Sequence, residues 1–204
     1  MFRVAPAAGH LVVVRGNLDD AMPLILAHHY SRRRTADPMH VFLWQRDGET
    51  MAAAVYCAPV NKFFGRGAVE LARLVRVPGL VEPLSAFVAE TLRWLRRNTP
   101  LAYCLSYADR SAGHHGGIYQ ALSFLHVAQS KGNTQWHNPL SGETVSGRAF
   151  DQRRPEFRVG WERKRSGAKF LYVRPLRERQ AVLLRRFGWA PLPYPKPHLE
   201  MKAA

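Results

Sequence analysis

HVFLWQRDGETMAAAVYCAPV, residues 40–60, is the stretch whose reading decides the fold. It holds two apolar runs, His40 to Gln45 and Thr50 to Val60, on either side of Arg46-Asp47-Gly48-Glu49. Val, Phe, Trp and Tyr suit a pleated, buried surface, and an Asp-Gly step takes the positive φ angles of a tight hairpin turn. The two runs therefore predict paired antiparallel strands. Downstream, AVELARLVRV at residues 68–77 places Leu71, Leu74 and Val77 among polar positions until Pro78 and Gly79 stop it, which predicts a third strand of the same meander. Upstream, Leu11 to Val14 is a short strand ending at Gly16, and Leu18 to Ala27 reads as a helix.

Beyond residue 84 the period changes. Leu84, Phe87, Val88, Thr91, Leu92 and Leu95 recur at the spacing of one helical face, with Ser85 as the expected N-cap and Arg93, Arg96 and Arg97 toward the C-terminal end, where they complement the helix dipole. Leu101 to Tyr107 is another strand, residues 108–113 its loop, and a second helix follows with Ile118, Ala121, Leu122 and Leu125 as its buried stripe. Val127 to Ser130 reads as a strand, 131–147 as a long hairpin or loop, Phe170 to Val173 as a final strand and Leu176 to Phe187 as a basic amphipathic helix. The tail from Pro191 to Pro197 is too rich in proline for anything but extended chain. The sum is a mixed α/β sheet flanked by helices, expected as a single domain over 1–204 with a basic, proline-ended C-terminal extension over 148–204.

Thirty Lys and Arg stand against 15 Asp and Glu, a formal net charge of +15. A field of that size attracts polyanions, and nucleic acid is the ordinary partner of such a chain. Residues 148–186 alone hold 13 basic and 4 acidic side chains, a local balance of +9, and form the expected phosphate-contacting surface. No apolar run is long enough to span a bilayer and no basic segment precedes a long apolar one, so neither a membrane span nor a signal peptide is expected. Cys57 and Cys104 lie in apolar runs without CxxC spacing, which points to buried, reduced thiols in a cytosolic protein.

The order of strand, helix, three-strand meander, helix, strand, helix and strand resembles the GNAT acyltransferase core. That family holds the coenzyme A pyrophosphate in a Gly-rich turn at a helix start, but here Val77-Pro78-Gly79-Leu80-Val81-Glu82-Pro83-Leu84 has one glycine, two prolines and a carboxylate. Acetyl-CoA is accordingly expected to bind weakly or in another pose.

A sharper resemblance runs from His28 to Lys196. The chain is similar to Mom proteins in His28-His29-Tyr30-Ser31, in Glu70-Leu71-Ala72-Arg73-Leu74, in Leu105-Ser106-Tyr107-Ala108-Asp109 and in Gly113-His114-His115-Gly116-Gly117-Ile118-Tyr119-Gln120-Ala121. The resemblance implies a phage enzyme in the cytoplasm of a bacterial host. Its expected reaction moves a carbamoylmethyl-type group from a small-molecule donor to adenine N6 in double-stranded DNA, protecting it from host restriction, with acetyl-CoA or iron as implied cofactors. The Asp/Asn-Pro-Pro-Tyr signature of adenine methyltransferases is absent. A GNAT-type N-acyltransferase on a small molecule or protein, and a basic DNA-binding protein without catalysis, are the alternatives.

An exocyclic adenine amine is a weak nucleophile and needs a base to take its proton as the new bond forms. Asp109 is the first candidate, its alternative being a cap of the loop it opens. His114 and His115 suit proton transfer, contact with a base edge, or metal ligation together with His28 and His29, unless they are solvated loop residues. With Tyr119 these complete the expected catalytic set. Tyr30, Ser31, Ser106 and Gln120 are the expected substrate contacts, aromatic rings for stacking an extruded adenine and an amide for its edge, with packing as the alternative. Gly116 and Gly117 are expected to let a ligand approach backbone N–H groups. Arg32, Arg33, Arg34, Arg153, Arg154, Arg163, Lys164 and Arg165 are the expected DNA contacts.

Overall fold

The computed structural model describes residues 9–35, 38–132, 134–165 and 167–196. Its strands are β1 (Val12–Gly16), β2 (Pro38–Arg46), β3 (Glu49–Cys57), β4 (Ala68–Arg76), β5 (Tyr103–Asp109), β6 (Leu125–Gln129), β7 (Thr134–His137), β8 (Thr144–Ser146), β9 (Glu162–Arg165) and β10 (Lys169–Pro175). Its helices are α1 (Leu18–His28), α2 (Leu84–Asn98), α3 (Gly117–Ala121), α4 (Gly147–Asp151) and α5 (Gln180–Phe187). Seven strands form one sheet in the order β1-β2-β3-β4-β5-β10-β6, and three form a second in the order β8-β7-β9.

Strands β1 to β4 are the expected meander, antiparallel at each step. The chain then crosses over through α2, and the crossover makes β5 parallel to β4. The run at 40–60 is continuously apolar because the sheet is covered on both faces. Phe42, Trp44, Ala54 and Tyr56 point to the side where α2 packs with Phe87, Val88, Leu92 and Leu95. Val41, Leu43, Ala53 and Val55 point to the opposite side, against Leu18, Ala21 and Ile25 of α1. A third apolar cluster joins Phe64, Tyr103, Leu105, Val173 and Leu183 beneath α5.

Helix α1 opens on a capping box: Asp20 N–H donates to Asn17 Oδ1 at 3.1 Å, and Asn17 N–H donates to the Asp20 carboxylate at 2.8 Å. Helix α2 starts two residues earlier than an N-cap at Ser85 would place it. Its N-cap is Pro83, without a side-chain bond, so Ser85 lies inside the helix and caps nothing. Both cysteines are buried thiols, as expected.

The long hairpin or loop expected at 131–147 is a hairpin, β7 paired antiparallel with β8, and β9, which the sequence did not announce, pairs with the other edge of β7. The sequence hid β9 because its Glu-Arg-Lys-Arg has no apolar alternation and all four residues are exposed. The core of these strands is a stack, Trp136 against Phe150 with centroids 3.9 Å apart, and Trp161 against the edge of Phe150. One sequence-based expectation is corrected: the described residues of 148–204 are not simply appended as an extension. Within them β10 is inserted in the main sheet between β5 and the edge strand β6, antiparallel to both. The described end of the tail is extended, as expected, and lies along β6, with Leu192 N–H donating to His126 O at 2.8 Å and Tyr194 Oη donating to Phe124 O at 2.9 Å. No helix among the described residues is long and apolar enough to cross a membrane.

Candidate active site

Strands β4 and β5 pair only between Ala68–Glu70 and Tyr103–Leu105, although β4 continues to Arg76 and β5 to Asp109. Past that point they part. Ser106 Oγ donates to the Leu71 carbonyl at 2.8 Å, so a side chain satisfies a backbone group at the point of divergence. Beside it β4 bulges: Leu71 faces Tyr56 and Arg73 faces Val55, leaving Ala72 with no counterpart on β3. Arg73 Nη1 donates to Ala72 O at 2.7 Å and its Nε to Arg33 O at 3.4 Å, tying the bulge to the segment after α1.

The gap is a cleft of about 810 Å³. Its walls come from Leu71 to Arg76 on β4 and from Tyr107 and Ala108 on β5, and its rim from His28, His29 and Tyr30 at the end of α1 and from Ala112 to Tyr119. Eight expected site residues, His28, His29, Tyr30, His114, His115, Gly116, Gly117 and Tyr119, thus meet there.

At the mouth, the Tyr30 ring lies between two imidazoles, 4.5 Å from His29 and 5.3 Å from His114, and is 52% exposed. His29 is buried. Its Nδ1 accepts from the Ser31 N–H at 3.1 Å and lies 2.9 Å from Ser31 Oγ, so a neutral ring carries its hydrogen on Nε2. Burial first, then Arg73 and His114, push its pKa down to about 4. His29 is therefore an uncharged ring that fixes Ser31 and supports Tyr30, and Ser31 faces His29 instead of the cleft.

On the inner side, Tyr119 Oη is 2.8 Å from Ser106 Oγ. The single Ser106 hydrogen is directed at Leu71 O, which leaves Tyr119 as the donor of that pair. Burial, with Cys104, Tyr30 and Glu70 adding to it against the Ser106 bond, pushes the phenol up to about 12. Tyr119 keeps its proton at neutral pH and can supply it to a developing negative charge.

Other expected contacts are placed differently. The Gln120 amide nitrogen is within 3.3 Å of His115 O, 3.3 Å of Tyr172 Oη and 3.2 Å of Pro195 O, and Gln120 does not line the cleft. It braces loop and tail. Gly116 is required by packing: its φ is +88°, and a Cβ there would lie 2.4 Å from the buried Tyr172 ring. Tyr172 Oη in turn donates to His115 O at 2.6 Å, holding the backbone between the two histidines and α3.

Asp109 does not line the cleft either. It caps the helical turn Arg110–Ala112, accepting from Ser111 N at 3.0 Å and from Ser111 Oγ, and pairs with Lys169 Nζ at 3.1 Å. These contacts outweigh its burial and hold the carboxyl below its ordinary pKa, which makes it a poor proton acceptor. Asp109 is the last residue of β5, and its carboxylate is held by Ser111 and Lys169 outside the cleft that Tyr107 and Ala108 line. Asp109→Asn is expected to keep the cap, lower stability by under ~1 kcal/mol with the partly exposed ion pair, and leave any DNA modification within a few-fold of wild type. A loss of about a hundredfold in modified nucleoside at unchanged stability would return Asp109 to the reaction.

Sequence reasoning also passed over side chains that the cleft brings in. Tyr107 lines it, its phenol pushed up to about 12 by burial and by Glu70. Glu70 is raised by burial, against the pull of Arg73 and Lys169. The available signal was a lone carboxylate in the apolar run Ala68-Val69-Glu70-Leu71-Ala72.

The implied cofactors do not fit these residues. No three His, Cys, Asp or Glu side chains among the described residues converge to hold a metal ion, and the coordinating nitrogen of His29 is already an acceptor for Ser31. At the start of α2, Pro83 offers no N–H and the neighbouring Glu82 carboxylate is paired with Arg46, so the turn is not the anion cradle that a pyrophosphate needs.

The fold is shared with solved acetyltransferases. The Escherichia coli ribosomal-protein-S18-alanine N-acetyltransferase superposes with a TM-score of 0.51 at 10% identity, over 82% of this chain and 94% of that one. An N-acetyltransferase from Staphylococcus aureus Mu50 gives 0.53 at 9% identity, over 82% and 99%. A putative acetyltransferase of the GNAT family from Desulfovibrio desulfuricans gives 0.51 at 13%, over 82% and 99%. At such identities the likeness is one of fold, and it is the GNAT fold that the element order led us to expect. No curated protein matches the chain by sequence. The Mom protein family model, however, matches residues 10–196. With nearly its whole length covered by that match, and with the GNAT-like sheet that the Mom resemblance implied, this chain belongs to the Mom protein family.

Proposed function

We propose that this protein is a transferase that places a carbamoylmethyl-type group on adenine N6 in double-stranded DNA, a modification suited to protecting phage DNA from host restriction. The observation that carries this reading is the cleft between β4 and β5, with the Tyr30–His114 pair at its mouth and the protonated Tyr119 phenol within. Its volume of about 810 Å³ is within the range of small-molecule sites and has room for a purine and a small donor. A base must leave the duplex to enter it, and an exposed aromatic ring at the mouth offers a stacking surface to a base on that path.

The adenine amine attacks the electrophilic carbon of the donor. A C–N bond forms as the bond from that carbon to its leaving group breaks. The imidazole of His114, at the mouth, accepts the N6 proton, and Tyr119 gives its proton to the leaving group. Acetyl-CoA and iron enter no step, because the residues at their expected places do not suit them.

Expression in a bacterium lacking restriction, followed by mass spectrometry of nucleosides from its DNA, is expected to show a modified deoxyadenosine that disappears with His114→Ala. Unmodified DNA, together with acyl transfer by the purified protein to a small amine or peptide, would replace this reading with the N-acyltransferase one.

A further inference from the structure

Five of the 13 basic residues in 148–186 are engaged by the fold itself. Arg153 pairs with Glu143 and lies 4.6 Å over the Trp161 ring, Arg158 bonds Arg153 O and Asp151 O, and Arg177 donates to Arg96 O and Arg97 O at the end of α2. Arg186 pairs with Glu178, and Lys169 with Asp109. Arg163, Lys164 and Arg165 on the edge strand β9 are different. All three are exposed, and their only described side-chain contacts are a 3.4 Å bond from Arg163 to Thr134 Oγ1 and a loose 3.7 Å ion pair from Lys164 to Glu162.

Two concavities run beside them and share Arg165. One, of about 610 Å³, is lined by Gly132, Thr134, Arg163, Lys164 and Arg165. The other, of about 600 Å³, is lined by Gln129, Ser130, Lys131, Arg165 and Ala168. Among the described residues no acidic side chain lines either one. Lys131 comes from outside the basic stretch, and tertiary structure alone brings it beside Arg165.

This groove is joined to the rim of the cleft. Ala168 O accepts from Arg110 N at 3.2 Å, Gly167 packs on Ser111, and Ser130 N donates to Lys169 O at 2.8 Å. Residues 110–112 continue directly into the segment that borders the cleft.

We propose that the groove lined by Lys131, Arg163, Lys164 and Arg165 is a phosphate track that seats the backbone of duplex DNA beside the cleft. The proposal rests on the reading of the protein as a DNA-modifying enzyme and locates where the duplex lies. Four exposed cations on a concave surface without a carboxylate match a regular line of phosphates, and they act on the backbone without reading sequence.

The test is the binding of a fluorescent duplex of about 20 base pairs, titrated over a series of salt concentrations, with the full-length protein. Lys131→Ala/Arg165→Ala is expected to weaken binding about tenfold or more and to flatten the salt slope by about two, since each phosphate contact contributes nearly one. Arg179→Ala/Arg185→Ala removes two exposed arginines of the same basic stretch from around α5 and is expected to change neither quantity appreciably. Equal losses from both pairs would overturn the groove in favour of a diffuse basic surface. Tighter binding of an RNA duplex of the same length would overturn DNA as its occupant. Nucleoside mass spectrometry on wild type separates the two readings. Modified adenine with unaffected binding by the groove variant sinks the groove alone, whereas unmodified DNA with the expected binding loss sinks the reaction and leaves the groove standing.

Discussion

Gly116→Ala is expected to cost about 2–5 kcal/mol, the sum of a left-handed backbone conformation for a residue with a Cβ and an overpacked contact. The clash is with Tyr172, whose ring would lie 2.4 Å from the new carbon. That ring cannot move aside at low cost. It is fully buried, its hydroxyl holds His115 O, and it packs against Tyr119 and His126. In a chain of this size such a loss lowers Tm by about 5–15 °C. Gly113→Ala provides the comparison. Its φ is similarly positive, +74°, but nothing lies within 4 Å of its Cβ position, so only the backbone term of about 1–2 kcal/mol applies. Thermal unfolding of both variants separates dihedral strain from collision. Equal decreases in Tm would show that Tyr172 yields, and with it the view that Gly116 is fixed by packing would fall.

The second large effect is on chemistry. Tyr119→Phe retains the ring against Phe124 and Tyr172 and removes the phenolic proton assigned to the leaving group. Modified adenine is expected to fall by about two to four orders of magnitude, the usual range for loss of a general acid, with duplex affinity unchanged. The lost bond to Ser106 costs about 1 kcal/mol of stability. Ser106→Ala breaks the same bond but leaves the phenol in place, so it is expected to retain most activity. If both variants lose activity equally, the phenol works by fixing Ser106 and the divergence of β4 from β5, and it is not the proton donor.

Local patterns carried much of this architecture. The Asp47-Gly48 turn between apolar runs, the stop at Pro78-Gly79 and the helical spacing from Leu84 to Leu95 each depend on neighbours a few residues apart, and β2, β3, β4 and α2 formed where those patterns placed them. At 134–165 a hairpin was one of two readings for β7 and β8, while β9 was illegible for the same reason. The stability of these strands comes from Trp136, Phe150 and Trp161 closing on one another across the chain, and their exposed faces carry polar residues that follow no period.

At the candidate site, sequence proximity identified the right loops but not the direction of their side chains. Tyr30, His114, His115 and Tyr119 reached the cleft as expected, while Gln120 and Asp109, in the same motifs, turned to Tyr172 and Lys169. In the motif ending in Ser106-Tyr107-Ala108-Asp109, Tyr107 and Ala108 line the cleft, whereas the Asp109 carboxylate is drawn to Ser111 and to Lys169, a partner distant in the sequence. Charge divides in the same way. The sequence by itself determined that the chain is strongly basic, that it has a GNAT-like order of elements and that it carries the motifs of its family. Only the tertiary structure decided which arginines are consumed by helix ends, aromatic faces and carboxylates, and it alone placed Lys131 beside Arg165, because those contacts join residues far apart in the chain that no local period can pair.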